Sequence, residues 1–189
     1  MQSLRPVRRV AELGSLGGAA RVLTIEQLLE LFAVAFAGGH RRSSVPTAES
    51  VSRINRELGI VLPVSFVEFS RRCPGYSTLF ASIGEDFNDA YHILNINRDF
   101  HGDEPHYRVP SWLVVFNHGH DEDCDGFDSR KLGADGEYPV VYWDASQGVG
   151  FDNARWPVFT RFNDYLEFTL TYHANISDRE RAERIIRPA

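Results

Sequence analysis

Pro-Ser-Trp-Leu-Val-Val-Phe-Asn (residues 110–117), His-Gly-His-Asp-Glu-Asp-Cys-Asp-Gly-Phe-Asp (118–128) and, after a polar link, Tyr-Pro-Val-Val-Tyr-Trp-Asp (138–144) make up the stretch that decides the fold. The first and last runs are short, β-branched and aromatic, too short and too β-rich for helices, so both read as sheet strands. Pro110 and Pro139 stand at the strand starts, where a missing N–H does least harm. The acid-rich run between them is too charged to bury and predicts a solvent-facing loop. The expectation is a central antiparallel sheet presenting an acidic loop, in a soluble domain of the binding type.

Outward from that stretch, the chain has 189 residues, 43% of them hydrophobic. That suits one domain with an appendage, able to bury roughly 70% of its unfolded surface without metals or disulfides. Cys73 and Cys124 are too few for a disulfide scaffold and predict free thiols in a reducing cytoplasm, although one bridge remains open. The early arginines Arg5, Arg8 and Arg9 imitate a signal peptide, but Glu12 and glycines replace the apolar region that should follow. The most apolar run, residues 31–37, falls far short of the ~20 residues of a membrane span. Neither secretion nor membrane insertion is expected.

The net charge is −6 and unevenly spread. Residues 1–48 carry Arg5, Arg8, Arg9, Arg21, Arg41 and Arg42 against Glu12, Glu26 and Glu30, whereas the middle of the chain is acidic. A nucleic-acid binder shows the reverse, a basic face with accessible aromatics. The acidic middle points to a basic partner or a cation.

Thr24-Ile-Glu-Gln27 fits a capping box and predicts a helix to about Ala37, stopped by Gly38 and Gly39. That helix is apolar over much of its circumference. It is either buried between layers or part of an oligomer contact. Thr47 or its neighbour caps a second helix with Val51, Ile54 and Leu58 on one face and Gly59 as its left-handed end. Leu62-Pro63 restarts the chain, with Pro63 near the first turn of a helix carrying Phe66 and Phe69. Further on, residues 77–83 suit a strand and residues 86–97 a helix bearing Phe87, Tyr91 and Leu94. Residues 99–107 suit an exposed loop, and residues 146–150 a turn, with a short strand running on toward Trp156. Phe159, Phe162, Leu166 and Leu170 mark an amphipathic helix, and Ser177-Asp-Arg-Glu180 a cap opening a short charged one.

The ordered set Ile-Asn-Arg-Glu-Leu-Gly-Ile (54–60), Leu62-Pro63, Phe66, Phe69, the Trp-Leu-Val-Val-Phe run (112–116), Cys-Asp-Gly-Phe-Asp (124–128), Tyr-Pro-Val-Val-Tyr-Trp-Asp (138–144) and the helix at 159–170 resembles the SUKH superfamily. The resemblance covers roughly residues 47–172. It implies an α+β fold, a single antiparallel (possibly mixed) sheet with helices packed on one side, plus an N-terminal helical extension. The chain then divides into an extension with one apolar helix (1–46), a SUKH-like domain (47–176) and a short charged C-terminal helix (177–189). Bacterial members are mostly immunity proteins of polymorphic toxin systems, many of those toxins being nucleases.

Catalytic and metal motifs are weak by comparison. Asp121, Asp123, Asp125 and Gly126 copy half an EF-hand loop, but Leu132 stands where the bidentate Glu belongs. His118, His120 and Cys124 fall short of a convergent zinc set. Gly75-Tyr-Ser lacks the second Gly of a nucleophile elbow, and Gly148-Val-Gly150 the third Gly of a dinucleotide loop. Asp89 and His92 suit a surface hydrogen bond, and Trp112, Trp143 and Trp156 the core or its edge. No catalytic residue, metal or cofactor is expected. The function expected is a cytoplasmic, non-catalytic immunity protein, monomeric or weakly dimeric, that binds a cognate toxin with a basic surface. Its contacts would be Asp121, Glu122, Asp123, Asp125 and Asp128, with Asp135 and Glu137 beside them; a solvated acidic rim explains the same charges. The alternatives are a regulatory or scaffolding module that self-associates through the apolar helix and, behind it, a metal-dependent enzyme.

Overall fold

The computed structural model describes residues 23–36, 44–73, 80–102, 107–118, 123–151 and 158–186. Four helices precede the sheet in the described chain: α1 (Ile25–Ala35), α2 (Ala48–Leu58), α3 (Val64–Arg72) and α4 (Ile93–His101). Strands β1 (Leu113–His118), β2 (Asp123–Asp128), β3 (Val140–Asp144) and β4 (Val149–Phe151) then pair in chain order as an antiparallel meander. Helix α5 (Phe162–Ile186) closes the described chain. The architecture is α+β.

The core is aromatic. Val114, Phe127 and Val140 are cross-strand neighbours on one sheet face. On that face Phe127 meets Phe66 of α3 edge-on at 5.4 Å and Phe162 of α5 at 6.0 Å, while Phe116 lies 4.4 Å from Phe127. Edge-to-face packing lets negative ring faces meet positive ring edges, so these pairs stabilise beyond the area they bury. Gly126 faces the other way, and a Cβ there would come 2.7 Å from the Leu113 side chain and 2.9 Å from the Val114 carbonyl. Packing explains that glycine; an EF-hand turn does not.

Capping follows the sequence closely. Thr24 and Gln27 form the expected box on α1, and Thr47 and Ser50 form one on α2, which ends on Gly59 at φ 68°. Pro63 stands at the N-cap of α3. The apolar stripe of α1 is buried: Leu28, Leu31, Phe32 and Val34 are inside, with Phe32 edge-on to Phe69 at 5.9 Å. Helix α1 lies along α5, where Gln27 Nε2 donates to the Ile185 carbonyl (2.9 Å) and Ser177 Oγ to the Ala35 carbonyl (3.1 Å). Of the two expectations for this helix, burial between layers is the one observed.

Several expectations need correction. The helix expected at 86–97 begins only at Ile93, because Asp86 and Asp89 accept from Asn88 N and Tyr91 N in local turns and His92 bridges to Ser82. His92 caps the helix, its Nδ1 accepting from Leu94 N, and both it and Asp89 are buried, so the two do not sit at the surface where a pair was expected. The loop expected from 99 is helical through His101, with Phe100 buried against Tyr107. Of the strand expected at 77–83, residues 80–83 make a single bridge and the rest lies outside the described residues. The turn expected at 146–150 spans 145–148, and Val149 already begins β4. Trp156 lies outside the described residues. The C-terminal cap is Asp178, whose backbone leaves the helix (φ −156°, ψ 87°) and whose Oδ1 accepts from Arg181 N; Ser177 bonds α1 instead.

Candidate functional site

The largest correction concerns the acidic stretch itself. Residues 123–128 are not a solvent-facing loop but the second strand of the sheet, paired on both sides. Alternation sends Asp123, Asp125 and Phe127 to the α3/α5 face and Cys124, Gly126 and Asp128 to the other. Asp123 and Asp125 thus follow one another along an extended strand instead of wrapping around a turn, as an EF-hand loop requires. Asp121, Glu122 and His120 lie outside the described residues. Among the described residues no group of three His, Cys, Asp or Glu side chains is placed to hold a metal ion. Cys124 is buried opposite His118, and burial pushes its thiol pKa up, with Asp125 and Asp123 adding to the shift.

Of the seven acids expected to form one contact surface, the five among the described residues are dispersed. Asp125 is half-buried overall, with its carboxyl turned inward; Asn117 Nδ2 and the Tyr165 hydroxyl each donate to its Oδ2 at 2.8 Å. Burial lifts its pKa to about 6 against those two hydrogen bonds. Asp128 is buried at the far end of β2, gripped by Arg130 through Nε (2.8 Å) and Nη2 (2.9 Å) and by Lys131 Nζ at 3.2 Å. The Arg130 fork, with Lys131 behind it, holds its pKa below the ordinary carboxylate value. Glu137 is also buried, accepting from Ser65 N (3.1 Å) and Ser65 Oγ (2.6 Å) at the start of α3. Asp135 is exposed and pairs with Arg161 at 3.2 Å. Asp123 receives the Tyr142 hydroxyl, and burial together with that bond raises the Tyr142 pKa.

Five residue steps separate Asp123 from Asp128, about 17 Å of strand. Asp128, Asp135 and Glu137 therefore lie at the opposite end of the sheet from the β1–β2 turn, and Asp125, Asp128 and Glu137 are engaged inside the fold. Asp123 stays at the turn end, next in the chain to Asp121 and Glu122.

Sequence reasoning missed what joins that end. Helix α4 runs antiparallel to β1, with Asn97 bonding the main chain of Val115 and His101 the Leu113 carbonyl. The turn before α4 is thereby brought to the His118 end of β1, where Tyr91 stacks on His118 with ring centroids 5.8 Å apart. That turn carries Glu85 and Asp86, both exposed. The period-3.6 reading that placed Phe87 and Tyr91 on a helix hid this, although the Gly-Glu-Asp-Phe-Asn-Asp run (84–89) has a turn composition. Trp112 and Trp143 behave as core-edge residues: they pack edge-on at 5.6 Å, Arg130 lies 3.7 Å over Trp112, and Trp143 Nε1 donates to the Arg108 carbonyl.

Among the described residues no helix is long and apolar enough to cross a membrane. No curated protein matches the chain. The SMI1 / KNR4 family (SUKH-1) model matches residues 46–167, from just before α2 into α5, leaving α1 and the last part of α5 beyond it. With that match spanning the sheet and the helices packed on it, the chain belongs to the SMI1 / KNR4 family (SUKH-1).

Proposed function

We propose that the protein is a non-catalytic immunity protein that neutralises a cognate toxin domain by binding it, through the end of the sheet where β1 turns into β2. Family membership supports the class of function. The observation that carries the choice of surface is Tyr91, in the turn before α4, stacked on His118 at the end of β1. The acidic run before α4 carries the exposed Glu85 and Asp86, Asp123 opens β2, and Asp121 and Glu122 precede it in the chain. Such an end attracts a basic cleft of the kind phosphate-cleaving enzymes need, and long-range attraction raises the association rate more than the final affinity. The strands and α4 give Glu85, Asp86 and Asp123 a preformed frame, so these three need little ordering on contact. The burial of Leu28, Leu31, Phe32 and Val34 of α1 inside the chain favours this reading over self-association through that helix.

The test is co-expression with a toxin domain encoded beside this chain. The protein should protect the cell and co-purify with the domain, and the Glu85→Lys/Asp86→Lys/Asp121→Lys/Glu122→Lys variant should protect poorly at unchanged folded yield. Full protection by that variant would reject this surface, and failure to bind any neighbouring toxin domain would reject the function.

A further inference from the structure

Two irregularities coincide at one point of the helix–sheet joint. The first is a bulge in β1, where the pairing shifts register between Val115 and Asn117, with Phe116 as the extra residue. Strand alternation would put Asn117 on the same face as Val115; the extra residue turns it to the other face, opposite Asp125. The second is the Asp125 carboxylate, held beneath α5 by neutral donors. Asn117 Nδ2 and the Tyr165 hydroxyl meet at its Oδ2, and Asn117 Nδ2 also lies 3.2 Å from the Tyr165 oxygen. Among the described residues the groups facing Asp125 are Asn117 from β1, the like-charged Asp123 from β2, Tyr142 as its pairing partner on β3, and Tyr165 from α5. Tyr165 is walled in by Phe116 at 5.3 Å and Phe80 at 6.1 Å.

We infer that Asn117, Asp125 and Tyr165 form a proton-operated latch between α5 and the sheet, shut more firmly when Asp125 carries a proton and opened more readily when it is ionised. Taking a charge out of water is costly, and hydrogen bonds from two neutral donors offset only part of that cost. The shut state therefore binds a solvent proton more tightly than the open state, in which Asp125 meets water. The sign follows: stability from this group is fully present below the ordinary value of 3.8 and is lost as pH rises through about 6. Across that window the opening constant rises by up to about tenfold per pH unit. The latch lies within the fold and does not depend on what the acidic end binds.

The test is amide hydrogen exchange of residues 162–170 in the full chain between pH 4.5 and 7.5, corrected for intrinsic rates, alongside a carbon-13 titration of the Asp125 carboxyl. The opening constant should rise with pH in the wild type and be flat in Asp125→Asn. Tyr165→Phe removes a donor to the ionised form and should move the midpoint up; Asp123→Asn removes a like charge and should move it down. An unchanged slope in Asp125→Asn, or a midpoint that neither other variant moves, overturns the latch. Should Asp125→Asn fail to fold, the wild-type titration decides alone: a carboxyl midpoint near 6 supports the latch, and one near 4 overturns it.

Discussion

Asp125 and Asp128 are the same residue type on the same strand, yet the fold treats them oppositely. Asp128 turns to the sheet face that Arg130 and Lys131 can reach, and its pKa falls because the fork of Arg130 favours the charged form. Asp125 turns to the α5 face, where among the described residues it meets neutral donors and a like charge, and its pKa rises because burial outweighs the donors. Composition cannot distinguish them; strand parity can. An acidic run is thus no measure of acidic surface until its secondary structure is known, and here the strand takes carboxylates from the surface and ties them into the frame.

The contrast depends on β2 keeping its register, so the largest effect should come from Gly126, which lies between the two acids. Gly126→Val drives side-chain atoms into Leu113 and the Val114 carbonyl and should cost about 3 kcal/mol or more, read as a lower urea midpoint. Unchanged stability would mean the strand slides freely and the parity argument fails.

Removing the charge on Asp128 comes next. Asp128→Asn should cost about 1–2 kcal/mol at pH 7, since its partners Arg130 and Lys131 are half exposed and solvent screens much of the attraction. This loss should shrink in high salt. It should also vanish as pH falls through the depressed pKa of Asp128, because a lowered pKa gives stability present above 3.8 and lost below it.

Asp125→Asn should behave in the opposite sense. At pH 7.5 it should be neutral or stabilising by up to about 1 kcal/mol, and at pH 4 it should lose that advantage, in urea titrations run at both values. Equal pH responses from the two variants would erase the distinction. The smallest effect belongs to Asp135→Asn, whose exposed pair with Arg161 should be worth less than about 0.5 kcal/mol in a thermal melt.

The same contrast explains what was legible beforehand. The capped helices were readable because Thr24 with Gln27, and Thr47 with Gly59, are local devices that act within a few residues. Strands β1 and β3 were readable because their β-branched and aromatic runs are continuous. Strand β2 was not, because its pattern of Asp, Cys, Asp, Gly, Phe and Asp is apolar only at Cys124 and Phe127, and its acids are accommodated by distant Tyr165 and nearby Arg130. Tertiary partners decide such a segment. His92 was misread for the same reason: its role as a cap depends on the bridge to Ser82 and on a hydrogen bond to the Gly84 carbonyl. Of the expected contact residues, Asp123 lies at the turn end while Asp121 and Glu122 fall outside the described residues, whereas Glu85 and Asp86 emerge only once α4 is placed running back along β1.

The measurement that bears most directly on binding through the acidic end is the association rate with the toxin domain proposed as its partner, by stopped flow at low and high salt. Reversing Glu85, Asp86, Asp121 and Glu122 to lysine should slow association by about tenfold or more at low salt and remove most of its salt dependence, while Asp135→Lys at the far end should leave the rate nearly unchanged. Equal slowing by Asp135→Lys, or no slowing by the turn-end reversals, would contradict the proposed mode of action.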